Sequence, residues 1–254
     1  MARTRRDFIK SVGLGLTAWA VARPALAFPG LTELRSALQS NRDRIETLHV
    51  VFDMKLLGTE GWSEEAQWLM QGRTEFAYEA PGNLWVVCHR EGMTSTEILQ
   101  GDRFFSGLES PGGERPSRIV YDGPVGPRHK PGLSLDVFLP VPEDRPMEDL
   151  GSLSFPEGPA KVIGQGDRRY YVTLDEPFHL RRLERFTTGG KLGARVNFLE
   201  YERLAPGIHF PRVLLSEDFD GEGTPRSPVR YSVTEVRVNQ ALPKMPTGFS
   251  NPGR

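Results

Sequence analysis

The feature that most constrains the fold of this chain is a period of two in its apolar residues, repeated along most of the sequence. Such alternation is typical of a strand with one buried face. The first run has its apolar positions at Leu48, Val50, Phe52, Met54 and Leu56. Similar runs recur at hairpin spacing with turn residues between them. The sequence therefore predicts about nine or ten strands, paired antiparallel because each follows the last through a short turn.

The second strand and its hairpin follow soon after the first. A tight turn is predicted at residues 80–83, where Ala-Pro-Gly-Asn precedes a returning strand over residues 84–89. The apolar face of the second strand is predicted at Trp68, Met70, Thr74, Phe76 and Tyr78.

A longer run of apolar residues at helical spacing precedes the first strand. Leu31, Leu34 and Leu38 recur at the spacing of an amphipathic helix that extends up to Ile45. Residues 106–132 are rich in Gly and Pro and predict a long loop or lid, followed by one or two helical turns over residues 133–139. The fold class is thus mainly β (α+β), with one antiparallel sheet that curls around a helix.

The N-terminus resembles a twin-arginine export signal. Arg5 and Arg6 precede a weakly apolar run that is too short and too interrupted by glycine for a spanning helix. A small-x-small cleavage site ends at Ala27. We therefore expect a signal peptide over residues 1–27, a single domain over residues 28–242, a Pro-rich tail over residues 243–254, and a periplasmic location.

Charge and cysteine content exclude several classes of function. Five of the 32 basic residues and one of the 33 acidic residues lie in the signal, which leaves the mature chain a formal net charge of −5. This mild acidity argues against a nucleic-acid partner, which selects clustered Lys and Arg. Cys88 is the only cysteine, so stability must come from the core rather than from an internal disulfide.

No constellation of residues predicts a catalytic or cofactor site. The five histidines are scattered singly, without the spacing that brings two metal ligands onto one face. The run over residues 13–18 (Gly-Leu-Gly-Leu-Thr-Ala) lies in the signal and follows no strand, so it is not a dinucleotide fingerprint. We accordingly predict no catalytic residue, no metal and no cofactor.

Large apolar side chains are concentrated in the first half of the chain, where a curled sheet would place them on its concave face. They form either an ordinary filled core or the lining of a cavity for an acyl chain, and the sequence alone does not separate the two. The candidate ligand-binding residues are Phe52, Met54, Leu56, Trp68, Met70 and Phe76, with Trp85 and Phe104 nearby.

The order of these elements resembles the LolA-like family of periplasmic lipoprotein carriers and outer-membrane lipoprotein-sorting proteins. The resemblance begins with the helix, the long paired strands, residues 80–86 (Ala-Pro-Gly-Asn-Leu-Trp-Val) and residues 100–105 (Gln-Gly-Asp-Arg-Phe-Phe). It continues through residues 183–186, 189–191, 196–198, Tyr201, 207–211 and 233–239.

The resemblance implies an unclosed, curved antiparallel half-barrel with an N-terminal helix and short lid helices in its concave face. It also implies a carrier, not an enzyme, that shelters a lipid or the acyl chain of a lipoprotein and meets a membrane-associated protein partner. The chain departs from the carriers at Ala80, where an arginine commonly stands. Two other functions stay open: an exported enzyme or its accessory subunit, and a half-barrel regulator that senses lipoproteins or protein partners.

Overall fold

The protein is described by a computed structural model that covers residues 29–109, 118–126, 129 and 131–245. The expected signal peptide and the end of the predicted tail lie outside these residues. The helices are α1 (Leu31–Asp43), α2 (Glu64–Leu69) and α3 (Leu135–Phe138). The strands are β1 (Thr47–Leu56), β2 (Gly72–Glu79), β3 (Asn83–Arg90), β4 (Met93–Gln100), β5 (Arg103–Glu109), β6 (Arg118–Pro124), β7 (Glu148–Phe155), β8 (Gly158–Gln165), β9 (Arg168–Thr173), β10 (Leu180–Phe186), β11 (Leu192–Ala205), β12 (Ile208–Asp218) and β13 (Val229–Val238).

All thirteen of these strands form one antiparallel sheet. Its order is β6-β5-β4-β3-β2-β1-β13-β12-β11-β10-β9-β8-β7, so nearly every strand pairs with its neighbour in sequence. The exception is the pairing of β1 with β13, which joins the first half of the chain to the second. Because β6 and β7 are the two edges and do not pair with each other, the sheet is open. The predicted fold class, a half-barrel of antiparallel strands with few helices, is confirmed.

One face of the sheet, here called the inner face, carries the main hydrophobic core and packs against α1 and α3. From α1, Leu34 and Leu38 enter this core, as the helical spacing predicts. From α3, the ring of Phe138 lies 5.6 Å from the ring of Phe52, measured between centroids, and 5.3 Å from that of Phe76. The two helices therefore cover the centre of the sheet where β1 and β2 run.

Residues 64–69 form a helix, so the prediction that the second strand begins at Trp68 is wrong, and β2 begins at Gly72. The Ser63 side chain accepts a hydrogen bond from the Ala66 amide at 3.3 Å, which caps the first turn of α2. Gly72 then begins β2 with φ at 133°, and a Cβ there would approach the His89 carbonyl oxygen to 2.4 Å. Trp68 therefore lies on a helix, where the Arg90 guanidinium stands 5.6 Å from its ring centroid.

The two edge strands are the other difference from the sequence prediction. β6 crosses the segment predicted as a long loop, and β7 lies in a stretch where the sequence shows no alternating apolar residues and predicts no strand. Every residue of β7 is exposed except Phe155, which is half-buried. An edge strand with neither face covered has no need of alternating apolar residues, so the period-two signal is absent there.

Candidate functional site

A groove of about 620 Å³ opens on the inner face of the sheet. Its walls come from β3 and β4 on one side, from β9 to β12 on the other, and from the segment that leads into and out of α3. The volume lies within the range of about 300–1,000 Å³ that is usual for small-molecule sites. We call it the inner groove; its apolar lining is Leu84, Leu99, Leu133, Val137, Val141, Leu183, Val196 and Phe198.

The position of these walls shows how strongly the sheet is curved. Leu99 of β4 and Leu183 of β10 line the same groove, although seven strand-to-strand steps separate their strands in the sheet. Seven steps of about 4.8 Å would place the two strands about 34 Å apart in a flat sheet. The two limbs must therefore bend toward each other, and the groove is the space left between them beside α3.

Polar contacts hold the α3 segment over the sheet. On the inner face of β4, the Glu97 carboxylate accepts a hydrogen bond from the Gly132 amide at 2.7 Å. Burial of that carboxyl group raises the pKa of Glu97 above its ordinary value. From α1, Arg42 pairs with Asp136 of α3, and Arg35 donates to the Pro142 carbonyl at 3.1 Å. The wall of the groove is thus tied both to the sheet and to α1.

The lining combines apolar side chains with a charged rim. Of the apolar residues, Leu183 and Val196 are half-buried and face each other across β10 and β11. Two arginines, Arg168 and Arg185, stand at the β9–β10 side of the opening. This arrangement suits an amphiphile, since an apolar chain gains free energy from burial while its polar end stays near water.

Two of the residues predicted to line a cavity are instead part of a filled core. Phe52 and Phe76 have no exposed surface and pack against Phe138. A glutamate at Phe52 would bury a charge without a partner, so it should unfold the protein rather than empty a cavity. Met54 of the same strand is half-buried against this core.

The other predicted lining residues are distributed over both faces. Trp85 is on the outer face, where it packs with Ala77 and Val87, and its expected place beside the concave lining is wrong. The reason is the register of the hairpin, in which Trp85 pairs with Ala77. Successive side chains of a strand point to opposite faces, so Ala77 and its partner Trp85 face away from the side on which Phe76 lies. Phe104 is buried on the inner face, paired with Leu99.

Leu56 and Met70 lie at the ends of their elements rather than in the inner groove. Leu56 is buried at the end of β1 beside Val229. Met70 is half-buried at the C-cap of α2. None of the eight predicted residues is among those that line the inner groove.

The residues that line the inner groove come mainly from the second half of the chain. Leu183, Val196 and Phe198 alternate with polar residues in β10 and β11, and this period-two signal is visible in the sequence. It predicts strands there but not which apolar side chains stay uncovered. The concentration of aromatic residues in the first half marks the part of the sheet that α3 fills.

A smaller feature lies under α1, where three rings meet. The His179 ring stacks on Tyr201 with 4.1 Å between centroids, and the His209 ring is 5.0 Å from His179. The Nε2 atom of His179 is buried and has no hydrogen-bond partner among the described residues. Burial, with help from His209 and Arg181, lowers the pKa of His179 to about 4.

This pKa predicts a loss of stability in mild acid. Below an unfolded-state value of 6.5 the unfolded chain takes up a proton at His179, whereas the folded chain does so only near pH 4. The free energy of unfolding should therefore fall as the pH drops through this window, by about 1–2 kcal/mol for this half-exposed group. Urea unfolding of the protein and of His179→Phe, which keeps the stacked ring, at about pH 7.5 and pH 5 measures the difference.

The matched control is His89→Phe, which removes an exposed histidine of β3. We expect the His179 variant to lose part of the acid dependence and the His89 variant to keep all of it. Equal acid dependence in the protein and the His179 variant would contradict the assignment.

Within the described ranges, no three side chains of His, Cys, Asp or Glu are grouped so that they could hold a metal ion. None of the helices described by the structure is both long and apolar enough to span a bilayer.

No protein-family model matches the sequence, and no curated protein matches it. Solved structures do. A LolA-superfamily protein from Nitrosomonas europaea superposes with a TM-score of 0.54 at 12% identity, over 83% of this chain and 94% of that chain. A DUF1329-family protein from Desulfovibrio piger superposes with a TM-score of 0.50 at 8% identity, over 83% and 92% of the two chains. At these identities the likeness is evidence about the fold alone.

Proposed function

We propose, with the LolA-like fold of this chain as the premise, that the protein is a carrier that shelters the acyl chain of a lipid or lipoprotein in its inner groove. The observation that carries this proposal is a set of half-buried apolar side chains around an open volume of about 620 Å³. Uncovered apolar side chains around a groove of this volume are typical of a small-molecule binding site.

The shape of the groove favours a long, flexible apolar ligand. Its apolar lining comes from four strands and from the segment around α3, rather than from one compact pocket. Burial of a methylene group contributes about 0.8 kcal/mol, so a chain of many methylenes gains affinity from contact along the whole groove. The export signal predicted for residues 1–27 supports a periplasmic place of action, where a carrier of this kind would meet a membrane-associated partner.

The direct test is native mass spectrometry of the protein purified under non-denaturing conditions, before and after organic extraction. We expect an additional mass that disappears on extraction and fragments as a lipid. If the protein carries only its polypeptide mass and then takes up no added acyl lipid, the proposal is wrong.

A substitution tests whether the ligand binds in the inner groove. Val196→Trp adds a large ring on the β11 wall, where Val196 is half-buried opposite Leu183. We expect at least about a tenfold loss of lipid affinity with an unchanged circular-dichroism spectrum, because the ring occupies volume that the chain needs. The matched control is Val120→Trp on the exposed edge strand β6, where Val120 is 55% exposed. Equal effects of the two substitutions on affinity would place the ligand elsewhere.

A further inference from the structure

We propose that the amphiphile in the inner groove carries an anionic headgroup, a carboxylate or a phosphate, and that Arg185 binds this headgroup with Arg168 beside it. This inference rests on the proposed acyl-binding function and names the chemical class of the ligand.

The two arginines lie side by side at the opening. Arg185 of β10 pairs in register with Arg168 of β9, so their side chains leave the same face of neighbouring strands. That face is the inner one, because Leu183 and Tyr170, two residues away on each strand, belong to the main core. Like charges directly opposite each other destabilise a strand pair. An anion between the two guanidinium groups would remove that cost.

Arg185 is available to such an anion. Among the residues that the structure describes, its side chain has no hydrogen bond or ion pair, and it is exposed at the rim while also lining the groove. Arg168 is less free, since Tyr170, Asp167 and Glu143 stand near its guanidinium group. Arg185 is therefore the principal contact and Arg168 the supporting one.

The acidic groups of the inner groove do not neutralise the positive charge of Arg185 and Arg168 at its opening. Asp136 already pairs with Arg42 of α1. Asp218 lies in the same cross-strand row as Arg185, with Ala194 between them. The backbones of Asp218 and Arg185 are two strand spacings of about 4.8 Å apart, and their side chains do not form an ion pair in the described part of the chain.

The chemistry of arginine selects the class of headgroup. A guanidinium group presents parallel N–H donors that match the two oxygens of a carboxylate or phosphate. A chain lying along Leu183 and Val196 from this edge would place its tail between the limbs of the sheet and its head at the opening. A neutral amphiphile would gain the same apolar contacts without the charged ones.

The test compares oleate with oleyl alcohol, which have the same chain and differ in headgroup charge. Affinities are measured by displacement of a neutral fluorescent acyl probe, for the protein and for Arg185→Gln and Arg185→Lys. We expect oleate to bind more tightly than the alcohol, and Arg185→Gln to weaken oleate about tenfold or more while the alcohol changes less than about twofold. Arg185→Lys should bind oleate more tightly than Arg185→Gln but less tightly than the unchanged protein, because lysine keeps the charge and lacks the parallel N–H donors of the guanidinium group.

The control variant is Arg230→Gln, which removes an exposed arginine on β13 that pairs with Glu200 at 3.8 Å. It should leave both affinities unchanged. High salt should weaken oleate selectively. Equal binding of oleate and the alcohol, or an equal effect of Arg185→Gln on both, would overturn the inference and leave acyl binding intact. Failure of both ligands to bind would instead refute the proposed function.

A third arm separates a lipid headgroup from a free anion. Inorganic phosphate should neither displace the probe nor weaken oleate beyond the effect of the same ionic strength of sodium chloride. If phosphate alone competes with oleate in a manner that depends on Arg185, the pair is a site for free anions and the inference fails.

Discussion

Replacing Phe138 by alanine is expected to lower the free energy of unfolding by about 3–5 kcal/mol. Phe138 is 1% exposed and is the point at which α3 enters the core. Its ring lies 5.6 Å from Phe52, 5.3 Å from Phe76 and 5.7 Å from Phe210, measured between ring centroids. Truncation would remove these contacts and leave a cavity that the surrounding strands are too constrained to close.

Urea unfolding of Phe138→Ala measures this effect. The control is Leu57→Ala, a truncation of a 49% exposed side chain, which should change stability by less than about 0.5 kcal/mol. A loss below about 1 kcal/mol for Phe138→Ala would show that α3 does not anchor the core. Because α3 also carries a wall of the inner groove, the same variant should bind oleate less tightly wherever it remains folded.

The second large effect is expected at Glu184, on the outer face of the sheet. Its side chain is buried, accepts a hydrogen bond from the Tyr171 hydroxyl at 2.6 Å and contacts Arg195 Nε at 3.1 Å. Burial, with the hydrogen bond to Glu184, raises the pKa of Tyr171 to about 12, so the hydroxyl stays protonated as the donor. Glu184→Ala would leave the Tyr171 hydroxyl without its acceptor and Arg195 with only Glu217 at 3.4 Å, at a cost of about 2–3 kcal/mol.

The matched control removes a surface carboxylate. Asp144→Ala breaks an ion pair of 2.8 Å with Arg35, but Asp144 is 93% exposed. It should cost no more than about 1 kcal/mol. Glu184→Gln should fall between the two, because an amide oxygen can still accept from Tyr171 while the charge is lost. Thermal and urea unfolding of the three variants distinguish these outcomes, and equal losses for Glu184→Ala and Asp144→Ala would show that burial at Glu184 has no energetic consequence.

Phe138 and Glu184 show that the two faces of the sheet are stabilised by different kinds of contact. The inner face is filled near β1 and β2, where Phe138 packs, and open near β10 and β11, where Val196 is half-buried. The outer face of β9 to β11 has no covering helix among the described elements, and Glu184 and its arginines satisfy one another there. The outer surface of these strands thus carries paired polar groups, while their inner surface lines the inner groove.

The fold could be predicted from the sequence because its signals are local. Alternation from Leu48 to Leu56 fixes β1 as a strand with one buried face, and residues 80–83 fix the hairpin that follows. The helical spacing of Leu34 and Leu38 likewise predicts α1. Prediction was wrong at Trp68, which lies on a helix that begins after a cap at Ser63, and it missed the two edge strands, β6 and the exposed β7.

By itself the sequence determined the class of fold, the antiparallel order of most strands and the faces on which apolar residues could lie. Only the tertiary structure decided which of those residues are covered. Phe52 is covered because α3, more than eighty residues later in the chain, packs on it, whereas Val196 stays half-buried because it lines the groove left between the two limbs of the sheet beside α3. A groove of this kind depends on the curvature of the sheet and the placement of a helix. Both arise from contacts between residues far apart in the chain, so the local pattern of apolar residues does not predict them.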